Sequence, residues 1–255
     1  YGKVFVALKF KNNITASVRT SVKDQIVNEL SANLSMMSID TEFIDPVSTK
    51  LELTTRFNLD PDLTSSTSRS IEIAVQNLIN NFFVTNLQKF GKVFRRSNLL
   101  TLIDALDPAI LNSRMDVKVQ QEFIPTVNQS LNYTINYPMQ IATPDDVNTI
   151  VRSTKFTFNG QSCFITNLLK SNVLQIISVD GTVEVDNIGD YQSSIGKITL
   201  NGFKPSSFEG SAIQVAVTPA NQSTIRPLRN FVIDIDTQAS SSNALLDFQN
   251  TAVTL

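Results

Sequence analysis

From Ile71 onward, Ile71, Ala74, Val75, Leu78, Ile79, Phe82 and Phe83 follow the i, i+3, i+4, i+7 spacing that draws one apolar stripe along an α-helix. A helix apolar on one side must bury that side, so the chain needs a surface to cover it. The flanking segments supply candidates. Leu51 and Leu53 alternate with Lys50, Glu52 and Thr54, and Phe57 and Leu59 continue toward Asp60-Pro61, the pattern of a half-buried strand closed by a turn. Val117, Val119 and Phe123 mark a second strand, ending at Pro125. The polar run Thr64 to Ser68 offers N-caps for the helix, and Gly91 offers a stop. A shorter helix follows, with Ser97 as its cap and Leu99, Leu102, Ile103 and Leu106 on one side, ended by Asp107-Pro108.

Upstream, Val4 to Phe10 reads as a strand apolar on both faces, hence buried. Ile14, Val18, Val22, Ile26, Leu30 and Leu34 then recur every four residues along a second helix. These elements predict a sheet of strands 4–10, 51–59 and 117–124, backed by helices over 16–34 and 68–90. Past Pro125 the texture changes. Residues 126–152, with Pro138 and Pro144, read as a linker, and the remainder is β-rich. Lys155 to Phe158 alternates, Val173 to Val185 holds two strands joined by Asp180-Gly181, and Ile198 to Leu200, Ile213 to Val217 and Phe231 to Ile235 are further strands. The fold class is α+β: an N-terminal βαβααβ-type module over 1–125, then a mainly antiparallel β domain over 153–255 that ends in an arm.

Composition narrows the function. Hydrophobic residues make up 42% of the 255 and charged residues 17%, a globular balance. The net charge of −2 gives no general attraction to nucleic acid or anionic membrane, and no apolar run approaches the about 20 residues of a membrane helix. The start at Tyr1, inside an apolar segment, reads as a cut within a longer protein. Cys163 stands alone, which rules out an intrachain disulfide and favours a reducing compartment; the N-x-S/T sequons at Asn13, Asn33, Asn128, Asn132 and Asn221 read as chance in a chain rich in these residues. The protein has no histidine, so histidine-based triads, general bases and metal sites are excluded. No glycine-rich phosphate loop is present, and Cys163 reads as a buried structural thiol. Asp104 with Asp107, Asp145 with Asp146, and Asp180 with Asp186 and Asp190 read as helix-end, turn or loop acids rather than as a glycosidase pair or a calcium loop. The expectation is a protein without catalytic residues, metal or cofactor.

Two sets of residues remain as candidate interfaces. Phe82, Phe83, Phe90 and Phe94 exceed what one helix usually hides against one sheet, and Lys92, Arg95 and Arg96 lie among them, near Lys89. Cations near a helix end, a patch for an acidic partner, and single-stranded nucleic acid all fit that cluster; the net charge ranks nucleic acid last. Leu245, Leu246 and Phe248, with Val253 and Leu255, follow the polar spacer Gln238 to Ser242 and are too apolar for a solvated tail, which points to an arm docked on a neighbour; the alternative is a strand folded back on its own domain.

The motif order carries a resemblance. Gly2-Lys-Val-Phe-Val-Ala-Leu-Lys9 precedes a helix, then Phe43-Ile-Asp-Pro-Val47 leads into Leu51-Glu-Leu-Thr-Thr-Arg-Phe57. A long helix, Gly91-Lys-Val-Phe-Arg-Arg96 and Asp107-Pro108 follow, before a last strand. The series resembles the J-type module of contractile-tail baseplate proteins over residues 1–125, and through to the end the baseplate wedge proteins of T4-like phages. The resemblance implies a structural virion protein of the tail baseplate, assembled in the host cytoplasm. It implies a homodimer within a larger ring, bound to other wedge proteins and rearranging on sheath contraction, with no role for nucleic acid or membrane. A carbohydrate- or receptor-binding surface module built on the β half is the alternative, disfavoured by 4 Tyr and no Trp; an acid-only hydrolase comes after it.

Overall fold

The computed structural model describes residues 2–10, 14–33, 39–44, 47–227 and 231–248. In the first half, β1 (Gly2–Ala7), α1 (Ala16–Asn33) and β2 (Ile39–Ile44) precede β3 (Val47–Leu59). Then come α2 (Ser68–Phe82), β4 (Phe94–Arg95), α3 (Arg96–Asp104) and β5 (Ile110–Phe123). The fold is α+β, and the pairing is mainly antiparallel.

The alternation in β3 works as expected. Leu51, Leu53, Phe57 and Leu59 are buried, and the intervening Lys50, Glu52, Thr54 and Arg56 look outward. β5 runs antiparallel beside it, with Leu53 opposite Val117 and Leu51 opposite Val119, so the two strands present one apolar face. Onto that face α2 sets Ile71, Val75 and Ile79, continued by Phe83 and Leu87 through a π-helical turn at Phe83–Leu87. Leu99 and Ile103 of α3 complete the core. Thr67 is the N-cap of α2, its hydroxyl accepting from Ser70 N at 3.2 Å. Ser97 is not the cap of α3: Arg95 holds that position without a side-chain bond, because α3 leaves directly from β4.

β1 does not join this sheet. It pairs in parallel with β2, from Gly2 opposite Ile39 to Ala7 opposite Ile44. The reason is geometric: a strand has two edges, and both edges of β3 are taken. β5 holds one; the other holds β16 (Phe231–Ile235), parallel to Val47–Leu51, and β17 (Ser241–Leu246), parallel to Thr54–Leu59. Phe5 is 59% exposed, against the buried strand expected, and Val18 of α1 is exposed. The side chains of Leu30 and Leu34 lie outside the described residues.

The second half extends the sheet of β3 and β5. In chain order it contains β6 (Leu131–Asn136), β7 (Val151–Ser153), β8 (Phe156–Phe158), β9 (Gln161–Asn167), β10 (Val173–Ser178) and β11 (Val183–Gln192). β12 (Lys197–Phe203), β13 (Ser207–Phe208), β14 (Ile213–Val217) and β15 (Thr224–Ile225) follow, before β16 and β17. The main sheet of the described residues has 13 strands, with the path β16-β3-β5-β14-β7-β9-β10-β11-β12-β6. β14 joins the halves, placing Ala216 between Gln120 of β5 and Arg152 of β7. The segment read as a linker holds β6, paired with β12 from Asn136–Lys197 to Leu131–Phe203. Phe123 packs against Tyr133 at 5.2 Å and Phe203 at 5.9 Å, so the end of β5 is sealed by β6 and β12. The β10–β11 hairpin turns at Asp180-Gly181, Gly181 taking φ +96.

Candidate assembly surface

The residues that chemistry would need do not converge. Among the described residues no three acidic or thiol side chains could hold a metal ion, and Asp180, Asp186 and Asp190 stay apart along the β10–β11 hairpin. Asp180 closes the turn, where hydrogen bonds from the Ser178 hydroxyl and from Thr182 hold its carboxyl below the usual range. Cys163 is fully buried in β9; desolvation first, then the charges of Glu184 and Asp180, push its thiol up and make a thiolate unfavourable.

The aromatic cluster divides. Phe83 and Phe94 are fully buried, their rings stacked at 6.0 Å, so neither is available to a partner. The cause is β4, which pairs Phe94 with Ile225 and Arg95 with Thr224 across more than a hundred residues of sequence and closes the core over both rings. Phe82 is half-buried, edge-on to Phe83 at 6.3 Å. Phe90 is half-buried and borders an open cavity of about 670 Å³ with Leu8, Phe10 and Val84. Arg96 is tied inward, donating to the Met115 carbonyl at 3.1 Å, whereas Lys92 and Arg95 are exposed.

The C-terminal segment is not a free arm. β17 pairs with β3 of its own chain; Ser242 Oγ lies 3.1 Å from Gln76 Oε1, and Ala244 N donates to Glu72 Oε1 at 3.0 Å. The expectation of an arm docked on a neighbour is corrected for residues 241–246: the free edge of β3 is the nearest unsatisfied row of backbone donors and acceptors. Val253 and Leu255 lie outside the described residues. The apolar side chains still face water, with Leu245 40%, Leu246 51% and Phe248 66% exposed. Sequence reading found these three residues but not their backbone partner.

The outer face of β3 and β5 is different in kind. Cross-strand ion pairs cover it: Lys50–Glu122 at 3.6 Å, Glu52–Lys118 at 3.7 Å and Arg56–Asp116 at 3.2 Å. The alternation had marked Lys50 and Glu52 as outward-facing, but not their partners on β5.

The described residues thus form a sheet backed by helices on one face and laced with ion pairs on the other, with Leu245, Leu246 and Phe248 exposed at and just past the end of β17. Residues 51–122 match the family described as baseplate structural protein gp6, C-terminal domain III. The matched residues are those of the β3–α2–α3–β5 core. No curated protein matches the chain.

Proposed function

We propose that the protein is a wedge subunit of a contractile phage tail baseplate, acting through self-association and contacts with other wedge proteins and rearranging when the sheath contracts. The observation that carries this reading is the family match over the module's core, from Leu51 to Glu122. A baseplate structural protein needs stable framework and adhesive surface, and the residues divide that way. The apolar face of β3 and β5 is consumed by α2 and α3, while Leu245, Leu246 and Phe248 remain outside. Those three residues, left exposed at and just past the end of β17, support a homodimer contact of the kind that a ring requires. The place of action is the tail of the virion, and the role is not enzymatic.

Sedimentation equilibrium at tens of micromolar tests the self-association. A dimer is expected, weakened by Leu246→Lys combined with Phe248→Ser, two exposed positions whose exchange leaves the melt nearly unchanged. A wild-type chain that stays monomeric throughout that range overturns the homodimer.

A further inference from the structure

Two features left open by the fold lie along the same edge of the main sheet. The first is a groove. α2 carries its stripe into the π-helical turn at Phe83–Leu87, which keeps Phe83 and Leu87 in the core but turns Val84 outward, 60% exposed. Val84 and Phe90 line one side of the open cavity of about 670 Å³, and Leu8 and Phe10, just past the end of β1, line the other. Lys9 and Lys89 are exposed at its rim, and among the described residues no carboxylate lines it. Gln88 ties the groove to the sheet edge, its Nε2 donating to Asp234 Oδ1 of β16 at 2.7 Å.

The second feature is the tip Leu245-Leu246-Asp247-Phe248, at and just past the end of β17. Its three apolar residues are exposed. Asp247 is exposed too, and its carboxylate makes no ion pair among the described residues. The tip is apolar and acidic; the groove is apolar and basic. Within one chain they cannot meet. Asp234, beside the groove, lies opposite Lys50, whereas Leu246 lies opposite Leu59, nine residues farther along β3. Nine residues of strand span about 30 Å. The backbone N of Asp247 donates to the Leu59 carbonyl at 2.9 Å, which holds the tip at its own end of the edge.

We infer that two copies of the chain lie antiparallel along this edge, each seating its Leu246-Asp247-Phe248 tip in the groove of the other; the inference rests on the self-association proposed above and names its surfaces. A two-fold axis midway along the edge carries tip onto groove and groove onto tip, because the two stand at opposite ends of one edge. Leu246 and Phe248 then cover Val84 and Phe90, and Asp247 meets Lys9 and Lys89. Each contact occurs twice in the dimer, so each has to supply only half of the about 800 Å² per partner that a standard interface buries. The other two-fold arrangement along this edge, backbone pairing of β17 with β17, is obstructed. Ala244 N, which such pairing would use, already donates to Glu72 Oε1. Glu72 thus closes the middle of the strand while the side chains at its end stay open.

Sedimentation equilibrium of the intact chain, with charge reversal on each side of the contact, tests the arrangement. A discrete dimer is expected at tens of micromolar. Asp247→Lys alone, and Lys9→Glu together with Lys89→Glu, should each raise the dimer dissociation constant at least about tenfold, since like charges then face each other in both contacts. All three substitutions together restore opposite charges and should return the constant to within about threefold of the wild-type value. A purely local role for these residues predicts no such rescue. The three positions are exposed, so the melts should match the wild type. Lys89 Nζ donates to the Thr85 carbonyl at 2.8 Å, so if its exchange lowers the melt, Lys9→Glu alone takes the place of the pair in the same comparison. A wild-type chain that stays monomeric overturns the self-association itself and this contact with it. A dimer indifferent to the reversals, a dimer not rescued by their combination, or growth beyond the dimer overturns the tip-in-groove contact and leaves the self-association standing.

Discussion

The register of α2 on the sheet makes a quantitative forecast about two adjacent residues. The spacing of apolar residues ranks Leu78 and Ile79 alike, but the structure separates them: Ile79 is 1% exposed at the centre of the stripe, and Leu78 is half-buried on its flank. Ile79→Ala removes three carbons from a fully packed site. At about 0.8 kcal/mol per buried carbon, transfer alone is worth about 2.4 kcal/mol, and the unfilled cavity raises the cost to about 3–4 kcal/mol. Leu78→Ala removes as many carbons from a site already half in water, for about 1–2 kcal/mol. For a chain of this size the expected falls in melting temperature are about 6–12 °C for Ile79→Ala and about 2–6 °C for Leu78→Ala. Urea unfolding followed by circular dichroism, with m-values compared to establish that the unfolded state is unchanged, measures both free energies. If Leu78→Ala costs as much as Ile79→Ala, α2 is rotated relative to the sheet and the core described above is wrong.

Two further outcomes follow from local geometry. Gly189 in β11 takes φ +152, and a methyl group there would fall inside the contact shell of the Thr199 carbonyl oxygen on β12; Gly189→Ala is expected to cost more than about 3 kcal/mol by chemical denaturation, whereas Gly181→Ala, at φ +96 in an open turn, should cost only about 1–2 kcal/mol of backbone strain. Burial first, then the charge of Asp145, pushes Tyr191 up to about 12, so its stabilising contribution is complete below the ordinary tyrosine pKa of about 10 and is lost as pH rises through about 12; the unfolding free energy should decline across that window, and Tyr191→Phe should flatten the decline.

How far the sequence was legible depended on whether a signal was local. The stripe of α2, the alternation of β3 and the Asp180-Gly181 hairpin each depend on neighbours within a few residues, and each is present in the fold. Helix α3 was found, but its cap was misassigned, because β4 delivers the chain directly into it. Val4 to Phe10 was placed in the main sheet on apolarity alone; what decided otherwise was the occupation of β3's second edge by residues far downstream. β6 was taken for linker because Pro138 and Pro144 lie in the same segment, although Leu131, Tyr133 and Ile135 alternate there with Asn132, Thr134 and Asn136. Phe94 was taken for surface because the two-residue partner that buries it, Thr224–Ile225, lies far along the chain. Of the candidate surface, the apolar identities of Leu245, Leu246 and Phe248 were readable. The cross-strand ion pairs on the outer face of β3 and β5 were not, because they depend on a strand register that no local pattern encodes.

The same edge that displaced β1 has a consequence in time. The hydrogen bond from Leu53 N to Ser240 Oγ closes a separation of 187 residues, and β16 and β17 reach β3 by comparable spans. At synthesis rates of about 5–20 residues per second, the ribosome needs about 10–40 s to supply the strands that cover β3 after β3 itself has emerged. For that interval the growing chain has a helix-backed hairpin of β3 and β5 in reach, but an open row of backbone donors and acceptors along it. Such a row can pair with any extended segment, including the same row on a neighbouring nascent chain. In a polysome making many copies at once, the C-terminal strands thus act as a delayed seal, and the interval before they arrive is when misassembly is most accessible.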